Sequence, residues 1–526
     1  MKWWQKAVFY QIYPRSFVDG NGDGTGDLQG IVSHLDYLSD MLGVNAIWLS
    51  PVYPSPMVDN GYDVSDYYGV DPLFGSLQDF DLLVEQVHAR GLHILMDWIP
   101  NHTSDRHRWF QEARRSRGDP RRDWYVWRDS APDGGPPNNW RSFFPRNGSA
   151  WTLDPATSQW YLHSFLQNQP DLNWDNPAVE AAMQDTLRFW LRRGVDGFRV
   201  DALPLIGKDA GLRPNPDPEK AWGPYNIDWP SVHERLRGLR KVCQSYGDRI
   251  LVGEVNVLDM ERLSRYLASG DELHLAHNFL FLQEEWTAAA VQAFIDRVEH
   301  ALAAPVLPSW YLGNHDNSRV VTRLGGGPQG AARARIAAVL LLTARGAPFI
   351  YQGEELGLTD SAVPAQFLMD VDGREPQRVP MPWRPPSSTV GGGFTTGSPW
   401  LPLHDRAESL NVAAQLTDET SMLSLYRRLL RYRAETSALR EGEYQSLLGP
   451  DGTIAYLRQT LRERVLVVLN MTSATASVAL EGQVGEVRGD LVLSTDARRL
   501  PVPVNLNNIQ LSADEGLILA LPTRSR

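Results

Sequence analysis

Along most of the chain, short apolar runs alternate with longer stretches whose apolar residues recur at helical spacing. Eight runs read as strands: Val8–Tyr13, Ala46–Ser50, Ile94–Trp98, Gly197–Asp201, Ile250–Glu254, Leu275–Phe279, Ser309–Gly313 and Pro348–Gln352. Most are almost continuously apolar, the mark of strands covered on both faces in a parallel sheet. Between them lie amphipathic segments. In Ala178–Arg193, the residues Val179, Met183, Leu187 and Trp190 fall on one helical face, and Gly194 stands where a C-terminal cap belongs. Eight such units predict a (β/α)8 TIM barrel.

Two excursions break the alternation. After Asn101-His102, about 70 residues rich in Arg, Pro, Asn, Gly and Trp precede the next clear helix, which predicts a small subdomain or a lid. A second excursion, rich in Gly and Pro, spans roughly Val363–Leu403 after the eighth strand. From about Ala438 the pattern turns to short alternating strands, Ile454–Arg458, Arg464–Leu469 and Ala476–Leu480, which read as an antiparallel β-sandwich. The predicted division is barrel over 1–102 and 173–437, inserted subdomain over 103–172 after strand three, and C-terminal β-sandwich over 438–526.

Composition narrows the classes. The 526 residues carry 63 acids against 51 Lys and Arg, a net charge of −12 that disfavours nucleic acid and anionic membranes as partners. No run approaches the roughly 20 apolar residues of a membrane span. The chain opens directly on a strand-like segment, and its single cysteine, Cys243, permits no internal disulfide. These features predict a cytoplasmic protein, and leave monomer and homo-oligomer equally open. Trp, with 18 residues, is as common as Tyr, and flat apolar rings suit sugar faces.

The chemistry gathers where apolar runs stop. Asp97…Asn101-His102, Arg199-Val200-Asp201, Glu254-Val255-Asn256 and Asn314-His315-Asp316 place acids, imidazoles and a guanidinium at one rim of the predicted barrel, where catalytic groups collect. Asp201 and Glu254 end adjacent strands, as the two carboxylates of a retaining glycosidase do: one attacks the anomeric carbon, the other protonates the leaving oxygen. Arg199, two residues before Asp201, points to the same side of the strand and is expected to keep that acid ionised. Asp316 is suited to orienting the sugar and to raising the proton donor's pKa by repulsion, while His102 and His315 can donate to hydroxyls. A structural Arg–Asp pair explains one segment but not four together. No His-Glu-x-x-His or Cys-x-x-Cys spacing supports zinc. Asp19, Asn21, Asp23 and Asp27 alternate as in half of an EF-hand loop, with Gly24 at the sixth position but Gly30 where a Glu would stand; the pattern suits Ca²⁺ in a structural role or a plain Asx-rich turn.

Together the four segments resemble the α-amylase superfamily, glycoside hydrolase family 13, over nearly the whole chain. Gln169-Pro170-Asp171-Leu172-Asn173 and the opening Trp3–Phe17 segment are similar to its oligo-1,6-glucosidase/α-glucosidase branch. The resemblance implies Asp201 as nucleophile, Glu254 as acid/base and Asp316 as transition-state stabiliser, with no cofactor for catalysis. It also implies that Arg199, His102 and His315 line the glucose subsite, that Asp59 holds a terminal hydroxyl and Tyr62 lies beneath the ring, that Phe165 forms an apolar wall, and that Arg378 pairs with Asp59 to close the pocket. Ca²⁺ would be held by Asp19, Asn21, Asp23, the Thr25 carbonyl and Asp27. The implied activity is exo-acting release of glucose from short α-glucosides such as maltose, maltooligosaccharides or isomaltose. In this branch the residue after the nucleophile tracks linkage, and Ala202 implies a preference for α-1,4 bonds. Trehalose synthases, sucrose isomerases and other transglucosylases share the same motifs and form the alternative. Non-catalytic relatives lack the acids kept here.

Overall fold

The structure, a computed structural model, describes residues 2–144, 148–277 and 279–523. Met1, residues 145–147, Asn278 and residues 524–526 lie outside them, and with them small parts of the predicted barrel, inserted subdomain, sixth strand and C-terminal unit. Eight strands, β1 Phe9–Ile12, β2 Ala46–Leu49, β3 His93–Trp98, β4 Gly197–Val200, β5 Ile250–Glu254, β6 Leu275–His277, β7 Ser309–Tyr311 and β8 Ala347–Tyr351, form one sheet. Its order is β7-β8-β1-β2-β3-β4-β5-β6, and every neighbouring pair is parallel. The ring closes between its first and last strands, where the Ser309 hydroxyl donates to the Ala276 carbonyl. All eight predicted strands are present, and the differences are confined to their ends.

Side chains alternate along each strand between two apolar layers. Phe9, Trp48, Leu95, Val252, Tyr311 and Phe349 fill the barrel interior. Tyr10, Ile47, Met96, Phe198 and Leu251 face the surrounding helices. The clearest of these helices, Pro177–Arg192, starts one residue earlier than its periodicity predicts. Pro177 supplies the first turn, the Asn176 side chain accepts from the Ala178 amide, and Gly194 follows the end at φ +96°.

The first excursion contains a short helix, Arg108–Ala113, which its sequence pattern does not announce, and a three-stranded antiparallel sheet of Trp127–Arg128, Gln159–Leu162 and Trp151–Asp154. Its return is pinned to the barrel rim. The buried Asp171 carboxylate accepts from the Ser164 amide and the Asn101 side chain, and the Lys208 ammonium lies 3.1 Å away. Beyond the barrel, a six-stranded antiparallel sheet and a two-stranded one (Ala476–Val478 with Ile509–Leu511) share a second apolar core that includes Leu457, Leu466, Val478, Ile509 and Leu519. Among the described residues, no helix is long and apolar enough to cross a membrane.

Candidate active site

The register of β3 and β4 sets Asp97 directly beside Arg199. Arg199, 1% exposed, holds three carboxylates: Nη1 lies 2.8 Å from Asp97 and 2.6 Å from Asp201, and Nη2 lies 2.7 Å from Glu254. Immediately after Asp201 the chain turns sharply. Ala202 has φ +42°, the left-handed region that side-chain-bearing residues rarely occupy, and its amide thereby donates to Glu254 Oε2 at 2.8 Å. The other Glu254 oxygen accepts from Asn256 at 3.2 Å.

One guanidinium cannot neutralise three acids. Burial pushes the Asp201 carboxyl well above the usual carboxylate range; Arg199 opposes this, and the charges of Glu254 and Asp97 add to it. The expectation that Arg199 alone keeps Asp201 ionised therefore needs correcting, because its charge is divided. Asp97, Asp201 and Glu254 thus share one guanidinium, and the neighbouring negative charges oppose ionisation of Asp201. Asp316 differs. Burial disfavours its charge, but His315, Arg374 and Arg378 hold its carboxyl well below the usual range. His315 is itself pushed down to about 3, chiefly by burial, so near neutral pH the guanidiniums are the acting charges. They lie 2.9 Å (Arg374) and 2.7 Å (Arg378) from Asp316 Oδ1.

The partner of Asp59 is Arg374 rather than Arg378. Arg374 Nη2 approaches Asp59 Oδ1 at 2.6 Å, and Gln169 donates to the other oxygen at 2.9 Å. The fork of Arg378 is occupied by Asp316, Asp370 and the His315 carbonyl, so the pairing implied by resemblance is off by one helical turn. Tyr62 donates to Asp97 at 2.9 Å and stacks on His315, with centroids 5.3 Å apart. His102 packs edge-on to Phe165 and lies 3.1 Å from the Tyr62 carbonyl.

These groups surround a cavity of about 340 Å³, within the range of small-molecule sites. Asp59, Tyr62, His102, Phe165, Asp201, Glu254 and Asp316 line it, whereas Arg199, His315 and Arg378 stand buried behind the wall. Sequence reasoning missed Arg374, Gln169 and the bracing role of Asp97. The only signal for Gln169 was its place in the Gln169–Asn173 motif. In the 19–27 loop, Asp19 accepts from the amides of Asn21, Gly22 and Gly24, and Asp27 from those of Gly20, Asn21 and Gly30. The donors are of the hard-oxygen type that Ca²⁺ takes, but the turn already satisfies them with its own amides. Among the described residues, no three acids, His or Cys are grouped so as to hold a metal.

Residues 11–442 match the family model described as the alpha amylase catalytic domain. The chain belongs to the α-amylase family of glycoside hydrolases. Within this α-amylase family, it is 42% identical to a probable alpha-glucosidase of Rhizobium meliloti (strain 1021), with 91% of each chain covered. It is 38% identical to an oligo-1,6-glucosidase of Heyndrickxia coagulans, covering 90% of this chain and 93% of that one. Its structure is similar to the crystal structure of an alpha-glucosyl transfer enzyme, XgtA, with a TM-score of 0.92, 39% identity and coverage of 99% and 100% of the two chains. As a member of the α-amylase family, the protein is an enzyme acting on oligosaccharides.

Proposed function

We propose that the protein is a retaining, exo-acting α-glucosidase that releases glucose from the non-reducing end of short α-glucosides. The observation that carries this reading is the Asp59–Arg374 bridge. Asp59 follows β2 and Arg374 follows β8, so the bridge spans the rim above β1 and closes that side of the cavity against a continuing chain. Asp201 attacks the anomeric carbon, and Glu254 protonates the departing oxygen and then takes a proton from water. Two carboxylates on neighbouring nitrogens of one guanidinium stand close together, which suits the about 5–5.5 Å of retaining enzymes better than the wider gap of inverting ones. Asp316, kept ionised by two arginines, stabilises positive charge at the sugar carbon.

Ala202 beside the nucleophile favours α-1,4 bonds. A methyl-scale difference shifts such a preference only about 10–200-fold. The likeness to XgtA supports a second outcome, in which the glucosyl group passes to another sugar instead of water. Incubation with maltose, with separation of the products, distinguishes them. Glucose as the main product is expected; trehalose or another disaccharide as the main product overturns the hydrolase reading. For the 19–27 loop we propose Ca²⁺ in a structural role, supported by its run of hard oxygen donors. Chelation should then lower the melting temperature, and an unchanged value argues for the self-satisfied turn.

A further inference from the structure

A larger cavity, of about 650 Å³, lies between the segment Tyr37–Leu42 and helix Met422–Glu435. Its wall includes Gly43, three residues before β2 starts. That part of the wall therefore stands at the strand starts, whereas the catalytic acids stand at the strand ends. Helix Met422–Glu435 contributes Arg427, Arg428 and Arg431 to the lining. Arg431 follows the other two at helical spacings of four and three, where side chains are neighbours and like charges repel. Two of the guanidiniums donate to carbonyls: Arg427 Nε to Met41 at 2.7 Å and Arg428 Nε to Ser424 at 3.3 Å. Arg428 Nη2 is buried with no hydrogen-bond partner among the described residues.

The cations crowd one another. Burial holds Arg428 below its ordinary pKa; the charge of Glu419 opposes this and that of Arg431 adds to it. Arg335, on helix Gly327–Thr343, is pushed down to about 10, chiefly by burial and then by the charge of Arg428. Guanidiniums stay charged near neutral pH all the same. Two acids, Asp40 and Glu419, also line the cavity, and both are exposed. Most of the remaining lining is carbon: Leu42 and Leu430 are buried, and Met41 is 45% exposed. Guanidinium forks match the oxygens of a phosphate, and charge-assisted hydrogen bonds of this kind are strong. A phosphoryl group between Arg428 and Arg431 would relieve their repulsion and give Arg428 Nη2 an acceptor. The two carboxylates repel a bare anion but accept from hydroxyls. Cations, acceptors and an apolar floor in one cavity of this volume suit a small molecule that carries both a phosphate and hydroxyls.

We propose that this cavity is a binding site for a sugar phosphate, separate from the catalytic one, with the phosphoryl group on Arg428 and Arg431 and the hydroxyls on Asp40 and Glu419. Isothermal titration calorimetry with glucose 6-phosphate, inorganic phosphate and glucose tests it. Glucose 6-phosphate should bind more tightly than inorganic phosphate or glucose, by about tenfold or more, and Arg428→Ala and Arg431→Ala should each weaken it by about the same factor. Equal affinity for inorganic phosphate means an anion site without a sugar and overturns the proposal, as does the absence of binding. Affinity unchanged in both variants places the ester elsewhere, the catalytic cavity included, and overturns it too. Arg431 is exposed, so its variant reads the charge even where Arg428→Ala folds poorly.

Discussion

Arg374 links Asp59, Asp316 and Asp370 through one guanidinium, and the first two of those residues line the cavity. Removing it leaves the buried Asp59 without a cationic partner, while Asp316 and Asp370 keep Arg378, and opens the rim above β1. Arg374→Ala should lower kcat/KM for maltose by about 10²–10³, with most of the loss in KM. It should also narrow the gap between short and long maltooligosaccharides; steady-state kinetics over chain length reads this. Unchanged kinetics would mean that the bridge closes nothing. The chain gives little warning of this residue. Arg374 and Arg378 are the same residue type one turn apart in a Gly- and Pro-rich excursion without periodicity, and only the folded path of that segment decides which one reaches Asp59. Asp201 and Glu254 were legible for the opposite reason: each ends a strong apolar run, and a strand end leaves its side chain at the rim.

A different acid ties elements together. Glu354 follows β8 and accepts from the Tyr426 hydroxyl at 2.9 Å, on helix Met422–Glu435. Beside it, Glu355 accepts from Tyr10 of β1 at 2.8 Å and from Tyr37 at 2.7 Å. Burial, aided by the charge of Glu355, moves Glu354 from its ordinary 4.5 up to about 8, against the Tyr426 hydrogen bond and the charges of Arg323 and Arg319. The folded protein thus holds a proton that the unfolded chain releases, so stability falls as pH rises through this window and levels off above it. Glu354→Gln keeps an acceptor for Tyr426 and should flatten the fall in melting temperature between pH 5 and pH 8, an effect worth up to a few kcal/mol. The same slope in the variant would assign the effect elsewhere. Barrel strands, buried on both faces, announced themselves as apolar runs. The short helix Arg108–Ala113 did not, because six residues carry too little period to detect.

Across the whole molecule, the barrel brings together groups from seven of its eight strand ends, and the two excursions complete what the strands begin. The insertion after β3 supplies the aromatic wall and Gln169, and the excursion after β8 supplies Arg374. Acids at strand ends made the catalytic side readable in advance. Contacts between segments hundreds of residues apart, such as Asp59 with Arg374, arise only from closure of the ring. The proposed activity rests on Asp201 as the attacking group in a two-step reaction. Inactivation with 5-fluoro-α-glucosyl fluoride, followed by peptide mass spectrometry, tests it directly. One fluoroglucosyl group is expected on the peptide containing Asp201, attached at that residue. A label on another residue, or turnover of the reagent with no covalent species, would contradict it.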